Sequence, residues 1–184
     1  EFTFTPDGRA VVFAARNAGR KEAWSTHFDL FLAPLDGRTK PRVVADGHGA
    51  TVTQPTFSPD GKTLGYLAMA RPGYESDRLR IVLKPWPQGG SRVLTEAWDR
   101  SAQRIAWSRD GRTIYTHADQ LGQHPLFAVD VKTGRARTLV AEGKVTEIAV
   151  AGDRVVYGVC QLRSPVELHS IARAGGRPRT LTRI

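Results

Sequence analysis

One six-residue phrase returns through the chain and constrains its fold more than any other feature. Phe4-Thr5-Pro6-Asp7-Gly8-Arg9 leads into an apolar run at 10–13, Phe57-Ser58-Pro59-Asp60-Gly61-Lys62 into 63–66, and Trp107-Ser108-Arg109-Asp110-Gly111-Arg112 into 113–115. A worn fourth copy, Ala149-Val150-Ala151-Gly152-Asp153-Arg154, precedes Val155-Val156-Tyr157. Asp-Gly between two short alternating apolar runs marks a hairpin, because glycine reaches the positive φ that a tight turn needs. Each copy therefore predicts a strand, a turn and a strand.

The rest of each unit repeats as well. A third apolar strand is predicted at 29–33, 79–83, 126–129 and 166–171, and a closing strand at 42–45, 92–95, 137–141 and 179–182. The turn between them carries glycine at 37, 90, 134 and 176, so the repeats are spaced by 53, 44 and 42 residues. Four-stranded propeller blades have periods of roughly 40 to 50 residues, whereas helical solenoids need apolar residues three and four apart, which this chain lacks. The sequence thus predicts an all-β fold, a β-propeller of four four-stranded antiparallel blades at about 1–46, 47–96, 97–141 and 142–184. Blades of this type more often close in rings of six to eight. We therefore expect half of a seven- or eight-bladed ring, cut from a longer chain or completed by a second copy.

Composition removes several classes of function. The 184 residues carry 40% apolar and 24% charged side chains along their whole length, which excludes a disordered tail. No run approaches the roughly 18 apolar residues that would cross a bilayer, and the opening Glu1-Phe2-Thr3-Phe4 lacks the regions of a signal peptide, so no membrane partner is expected. The net charge of +9 raises nucleic acid as a partner, but Lys and Arg are scattered beside turns and on alternating strand positions, densest only at 173–183. A solvated basic surface is the expectation, with no nucleic-acid partner. Cys160 is the single cysteine, so no internal disulfide forms, and the compartment, periplasmic or cytoplasmic, stays open.

The loops divide into two sets. In an up-and-down meander the first-to-second and third-to-fourth turns share one face, and these are short and glycine-rich. The opposite set is long and rich in Trp, Tyr, Arg, Glu, Asp and His: 16–27, 69–78, 118–124 and 161–165 within blades, 46–53 and 96–103 between them. Binding resides on such loops, which makes theirs the candidate working face.

The Pro-Asp-Gly repeats resemble those of propellers in the prolyl oligopeptidase family of serine peptidases, a likeness shared with the TolB type. Ala23-Trp24-Ser25-Thr26-His27-Phe28-Asp29-Leu30, Met69-Ala70-Arg71-Pro72-Gly73-Tyr74-Glu75-Ser76-Asp77-Arg78 and Leu94-Thr95-Glu96-Ala97-Trp98-Asp99-Arg100-Ser101 are similar to the dipeptidyl-peptidase and acylaminoacyl-peptidase branch. The resemblance implies a propeller that caps an α/β-hydrolase domain and admits short peptides to a Ser-Asp-His site. These residues depart from that family in one respect: no serine has Gly two positions before and two after, as a hydrolase elbow requires, so the hydrolase domain is absent and the fragment itself is expected to be inactive. Gly89-Gly90-Ser91-Arg92-Val93 comes nearest and reads as a hairpin turn. The five histidines, His27, His48, His117, His124 and His169, lie far apart in sequence and show no ligand spacing, so neither a metal nor another cofactor is expected.

An exopeptidase that frees dipeptides or N-terminal or acylated residues must meet a substrate ammonium with a carboxylate. Glu75 and Asp77 are the candidate carboxylates, with Tyr74 as a stacking or hydrogen-bonding partner and Arg71 and Arg78 as loop braces or contacts to a substrate carbonyl. The plainer alternative is a self-satisfied loop. For Trp24, Asp29, Trp98 and Asp99 the expectation is packing between blades, and Phe4, Phe57 and Trp107 are expected in the core. A second reading of the whole chain is a non-enzymatic TolB-like propeller that binds a protein partner.

Overall fold

The computed structural model describes residues 1–17 and 19–184; Ala18, inside the predicted 16–27 loop, lies outside the described residues. The chain divides into two compact units, Glu1–Thr95 and Glu96–Ile184. The first holds two four-stranded sheets: β1 (Phe2–Phe4), β2 (Ala10–Ala15), β3 (Asp29–Pro34) and β4 (Arg42–Ala45), then β5 (Val52–Phe57), β6 (Thr63–Ala68), β7 (Arg80–Pro85) and β8 (Arg92–Val93). The second holds β9 (Ala106–Trp107), β10 (Thr113–His117), β11 (Leu126–Asp130) and β12 (Ala136–Val140), then β13 (Lys144–Ala151), β14 (Arg154–Gln161), β15 (Ser164–Ala172) and β16 (Arg179–Thr180). In every sheet the strands pair antiparallel in chain order, the meander of a propeller blade. A 3₁₀ helix, Gly19–Trp24, interrupts the loop between β2 and β3.

The repeated phrase owes its regularity to a hydrogen-bond network that is rebuilt three times. The hydroxyl of Thr5, Ser58 or Ser108 donates to Asp7, Asp60 or Asp110 at 2.6 Å each. The same carboxylates accept the backbone N–H of Arg9, Lys62 and Arg112 at 3.1 Å. The hydroxyl oxygens accept the N–H of Ala10, Thr63 and Thr113 at 3.0, 3.0 and 2.9 Å, and the glycine follows at φ of +67° to +70°. The phrase is thus a longer, internally bonded loop and not the two-residue turn that Asp-Gly alone suggests. The fourth copy lacks the hydroxyl and closes tightly, with Ala151 paired to Arg154. Hydrogen bonds from Ser108 and from the Arg112 N–H hold the Asp110 carboxyl down at about 2, with help from Arg173 at 2.5 Å. Ser108 is fully buried, so Ser108→Ala leaves the Thr113 N–H without an acceptor and should cost about 2 kcal/mol in urea unfolding.

Apolar residues from facing sheets fill each unit. Val12, Leu30 and Ala45 of the first sheet pack on Leu64, Tyr66 and Val82 of the second, all 0–7% exposed. In the other unit, Tyr115, Leu126 and Ala128 meet Val155, Tyr157 and Ile171. Phe57 packs edge-to-face on Trp86 at 5.0 Å against the first core, and Trp107 is buried. Phe4 corrects the sequence reading, being 56% exposed. It pairs with Val11, on the face of the first sheet opposite Val12, and so points away from the core shared with the second sheet. The predicted 161–165 loop is also corrected: β14 and β15 run on until only Leu162 and Arg163 connect them.

Candidate functional site

The loop after β6 is organised from within. Its first residue, Met69, donates its N–H to the Thr51 carbonyl at 2.9 Å. Asp77 then folds back, its Oδ2 accepting the N–H groups of Ala70 and Arg71 at 2.7 and 2.8 Å, with the Arg71 Nε 3.5 Å from Oδ1. Burial pushes this carboxyl up, but the N–H groups of Ala70, Arg71 and Arg78 and the Arg71 charge outweigh it and hold the group below the usual carboxylate range. Asp77, with 12% of its side chain exposed, is therefore the brace of the loop and not an open ligand.

The other candidates separate around it. The Arg71 guanidinium lies 4.0 Å over the Tyr74 ring, a cation–π contact that keeps both side chains at the surface in fixed relation. Glu75 follows them, exposed, with no hydrogen bond or ion pair to its carboxylate among the described residues. Arg71, Tyr74 and Glu75 line one shallow depression together with His27, Gly49 and Met69. Arg78 is half-buried and does not line it. The structure thus brings together three of the five candidates and assigns Asp77 to the loop's interior.

His27, in the wall of this depression, stands between Ser25 and Asp29 in sequence. Ser25 Oγ is 2.7 Å from His27 Nδ1, but His27 Nε2 is 3.7 Å from Asp29 Oδ2, too long for a hydrogen bond, and Asp29 Oδ1 accepts the Gly47 N–H at 3.2 Å. Asp29 thus ties down the chain after β4 through a backbone hydrogen bond. Trp98 packs edge-to-face on Phe127 at 5.0 Å. Trp24 and Asp99 correct the expectation: Trp24 is 85% exposed at the end of the 3₁₀ helix, and the Asp99 side chain is 99% exposed beside Arg100.

Two histidines also depart from the sequence reading. His117 and His124, seven residues apart, come together with ring centroids 5.0 Å apart and are both buried. The β10–β11 connection doubles back between them, a proximity that linear spacing does not reveal. Among the described residues no group of three or more His, Cys, Asp or Glu side chains is arranged to hold a metal ion. A cavity of about 880 Å³ opens beside His124 and shares no residue with the Glu75 depression.

Four antiparallel four-stranded sheets, three of them opened by the same internally bonded loop, define a β-propeller, and known structures share the fold: TolB from Acinetobacter baumannii superposes over 95% of this chain and 42% of its own, with a TM-score of 0.73 and 20% identity. No protein-family model matches the chain. Dipeptidyl-peptidase 5 of Porphyromonas gingivalis is 27% identical over 185 residues, 99% of this chain and 27% of that relative. Dipeptidyl-peptidase 5 of Trichophyton schoenleinii is 34% identical over 139 residues, 70% of this chain and 19% of its own length. In sequence the chain resembles these dipeptidyl-peptidases, and in fold it resembles the propeller portion of prolyl oligopeptidase-type peptidases. It spans about a fifth to a quarter of the length of the curated relatives it matches.

Proposed function

We propose that this chain is the substrate-gating, N-terminus-recognising propeller segment of a serine exopeptidase that cuts short peptides and releases dipeptides or terminal residues. The catalytic serine stands outside these 184 residues, and the segment is inactive by itself. The observation that carries the reading is Glu75: an uncommitted carboxylate on a braced loop, flanked by Tyr74 and Arg71, in a chain whose relatives are named dipeptidyl-peptidases. A carboxylate held at a substrate's amino end supplies a charge-assisted hydrogen bond worth about 2 kcal/mol. In the protein encoded by the full reading frame, Glu75→Gln is expected to lower kcat/KM for dipeptide substrates with a free amine about 30-fold. N-acetylated substrates should be unaffected. An equal loss on both, or none, overturns the assignment, and a full-length protein that cleaves no peptide leaves partner binding of the TolB-like kind.

The partner that the fold itself asks for is a further sheet. Leu64 and Tyr66 are 0% and 5% exposed because the first sheet packs on their face. Val11 and Phe13 occupy the equivalent places in the first sheet, in register with Phe4 and Phe2, which are 56% and 67% exposed. A sheet with a small aliphatic face, from a longer chain or a second copy, fits there. Phe2→Ser with Phe4→Ser should therefore hardly change the stability of this chain alone, yet should destabilise a ring-complete protein by about 2 kcal/mol or more in thermal unfolding.

A further inference from the structure

The cavity of about 880 Å³ in the Glu96–Ile184 unit lies where the β10–β11 loop, the β12–β13 connection and the β14–β15 turn converge. Its frame is rigid. The Gly143 N–H donates to Gln123 Oε1 at 2.7 Å, and the Gly143 carbonyl accepts the His124 N–H at 3.0 Å. Val145 and His124 are joined twice more, through the Val145 N–H at 3.1 Å and through His124 Nδ1 to the Val145 carbonyl at 3.1 Å. Gly143 sits at φ +85°, and a Cβ there would lie 2.6 Å from Val159 Cγ2, so the wall depends on glycine. A preformed cavity of this size is in the range of small-ligand sites.

Its charges are distributed unevenly. Asp119 is committed to His124, with 2.8 Å between Oδ1 and Nε2. Glu142, Lys144 and Arg163 line the same cavity, and no ion pair or hydrogen bond among the described residues engages their side chains. One carboxylate and two cations are thus open to a ligand. Single exposed charges contribute at most about 1 kcal/mol, so selective binding needs a molecule that meets several at once. We propose that this cavity binds a short peptide with both ends free, its carboxylate against Lys144 and Arg163 and its ammonium against Glu142. An extended chain advances about 3.3 to 3.6 Å per residue, so a di- or tripeptide is the length suited to a cavity of about 880 Å³. The choice of a peptide over other zwitterions rests on the peptidase reading; the site itself does not involve Glu75.

The cavity carries its own reporter. Cys160, the single cysteine, lines it and is the cross-strand partner of Lys144. Alkylation of the 184-residue chain by iodoacetamide, followed by intact mass, is expected to slow at least fivefold at saturating Ala-Ala. N-acetyl-Ala-Ala-amide should leave the rate unchanged. In Glu142→Gln and Lys144→Ala, each compared with and without Ala-Ala, the protection should fall below twofold. Equal protection by the blocked peptide, equal protection by inorganic phosphate, or none by Ala-Ala overturns the proposal. The readout needs no hydrolytic step, so its failure leaves the Glu75 reading standing, and a failed peptidase assay leaves this result standing.

Discussion

Between pH 7 and pH 4 the Glu96–Ile184 unit is expected to lose about 3 kcal/mol of stability through one side chain, His117. The residue is 5% exposed, and neither ring nitrogen has a hydrogen bond of good geometry among the described residues, the Thr146 backbone being the nearest polar group to act on it. Burial, followed by the charges of His124 and Arg104, pushes the group from 6.5 down to about 4, against smaller opposing pulls from the Thr146 backbone and then Asp119. In the unfolded chain the imidazole takes its proton near pH 6.5, whereas the folded unit refuses it until about 4. Protons therefore favour the unfolded state throughout that window, and stability falls as pH falls, by about 1.4 kcal/mol per pH unit. The carboxyls of Asp110, Asp130 and Glu167 are held below their ordinary values, so their contribution begins to fall as pH approaches 4.5 to 3.8 and is shared by wild type and variant. Urea unfolding of the wild type and of His117→Phe at both pH values tests this. The variant should show a slope shallower by that amount, and identical slopes would refute the assignment.

Gly47→Ala is expected to cost the Glu1–Thr95 unit about 3 kcal/mol. A Cβ at Gly47 would lie 2.0 Å from the Ala50 carbonyl oxygen and 2.8 Å from Val52 Cγ2. The first of these is backbone and cannot rotate aside, and Ala50 is itself tied to Gly47 by a 3.0 Å hydrogen bond. The connection after β4 must shift, and the Gly47 N–H bond to Asp29 goes with it. Gly37→Ala is the control: φ there is +67° but nothing lies within 4 Å of the added carbon, so only the left-handed backbone penalty of about 1 kcal/mol applies. For a unit of this size the Gly47 variant should melt roughly 10 to 20 °C lower. Equal melting of the two variants would show that the connection yields freely. The same connection carries Gly49 and Thr51 into the Glu75 depression, so a displaced loop should also blunt amine recognition in the full-length protein.

Much of the fold was legible because its causes are local and repeated. Ser or Thr two residues before Asp, with Gly next, closes the same loop three times from contacts within six residues, and alternation sets which strand face is apolar. The candidate site was legible only in part. The sequence marks 69–78 as polar and charged, but which carboxylate turns inward depends on backbone N–H groups at Ala70 and Arg71 aiming at Asp77. The cavity beside His124 gave no signal, since its walls come from three connections spread over 119–163.

By itself, then, the sequence determined four antiparallel sheets, their strand faces and the division into short and long loops, since turn chemistry and period-two patterning act between near neighbours. The tertiary structure alone decided that Phe4 is exposed while Phe57 is covered, that Asp77 braces while Glu75 stays open, and that the His117 ring is buried with no hydrogen bond to its nitrogens among the described residues. Each of those outcomes turns on which surface packs against which, and residues far apart in the chain fix it.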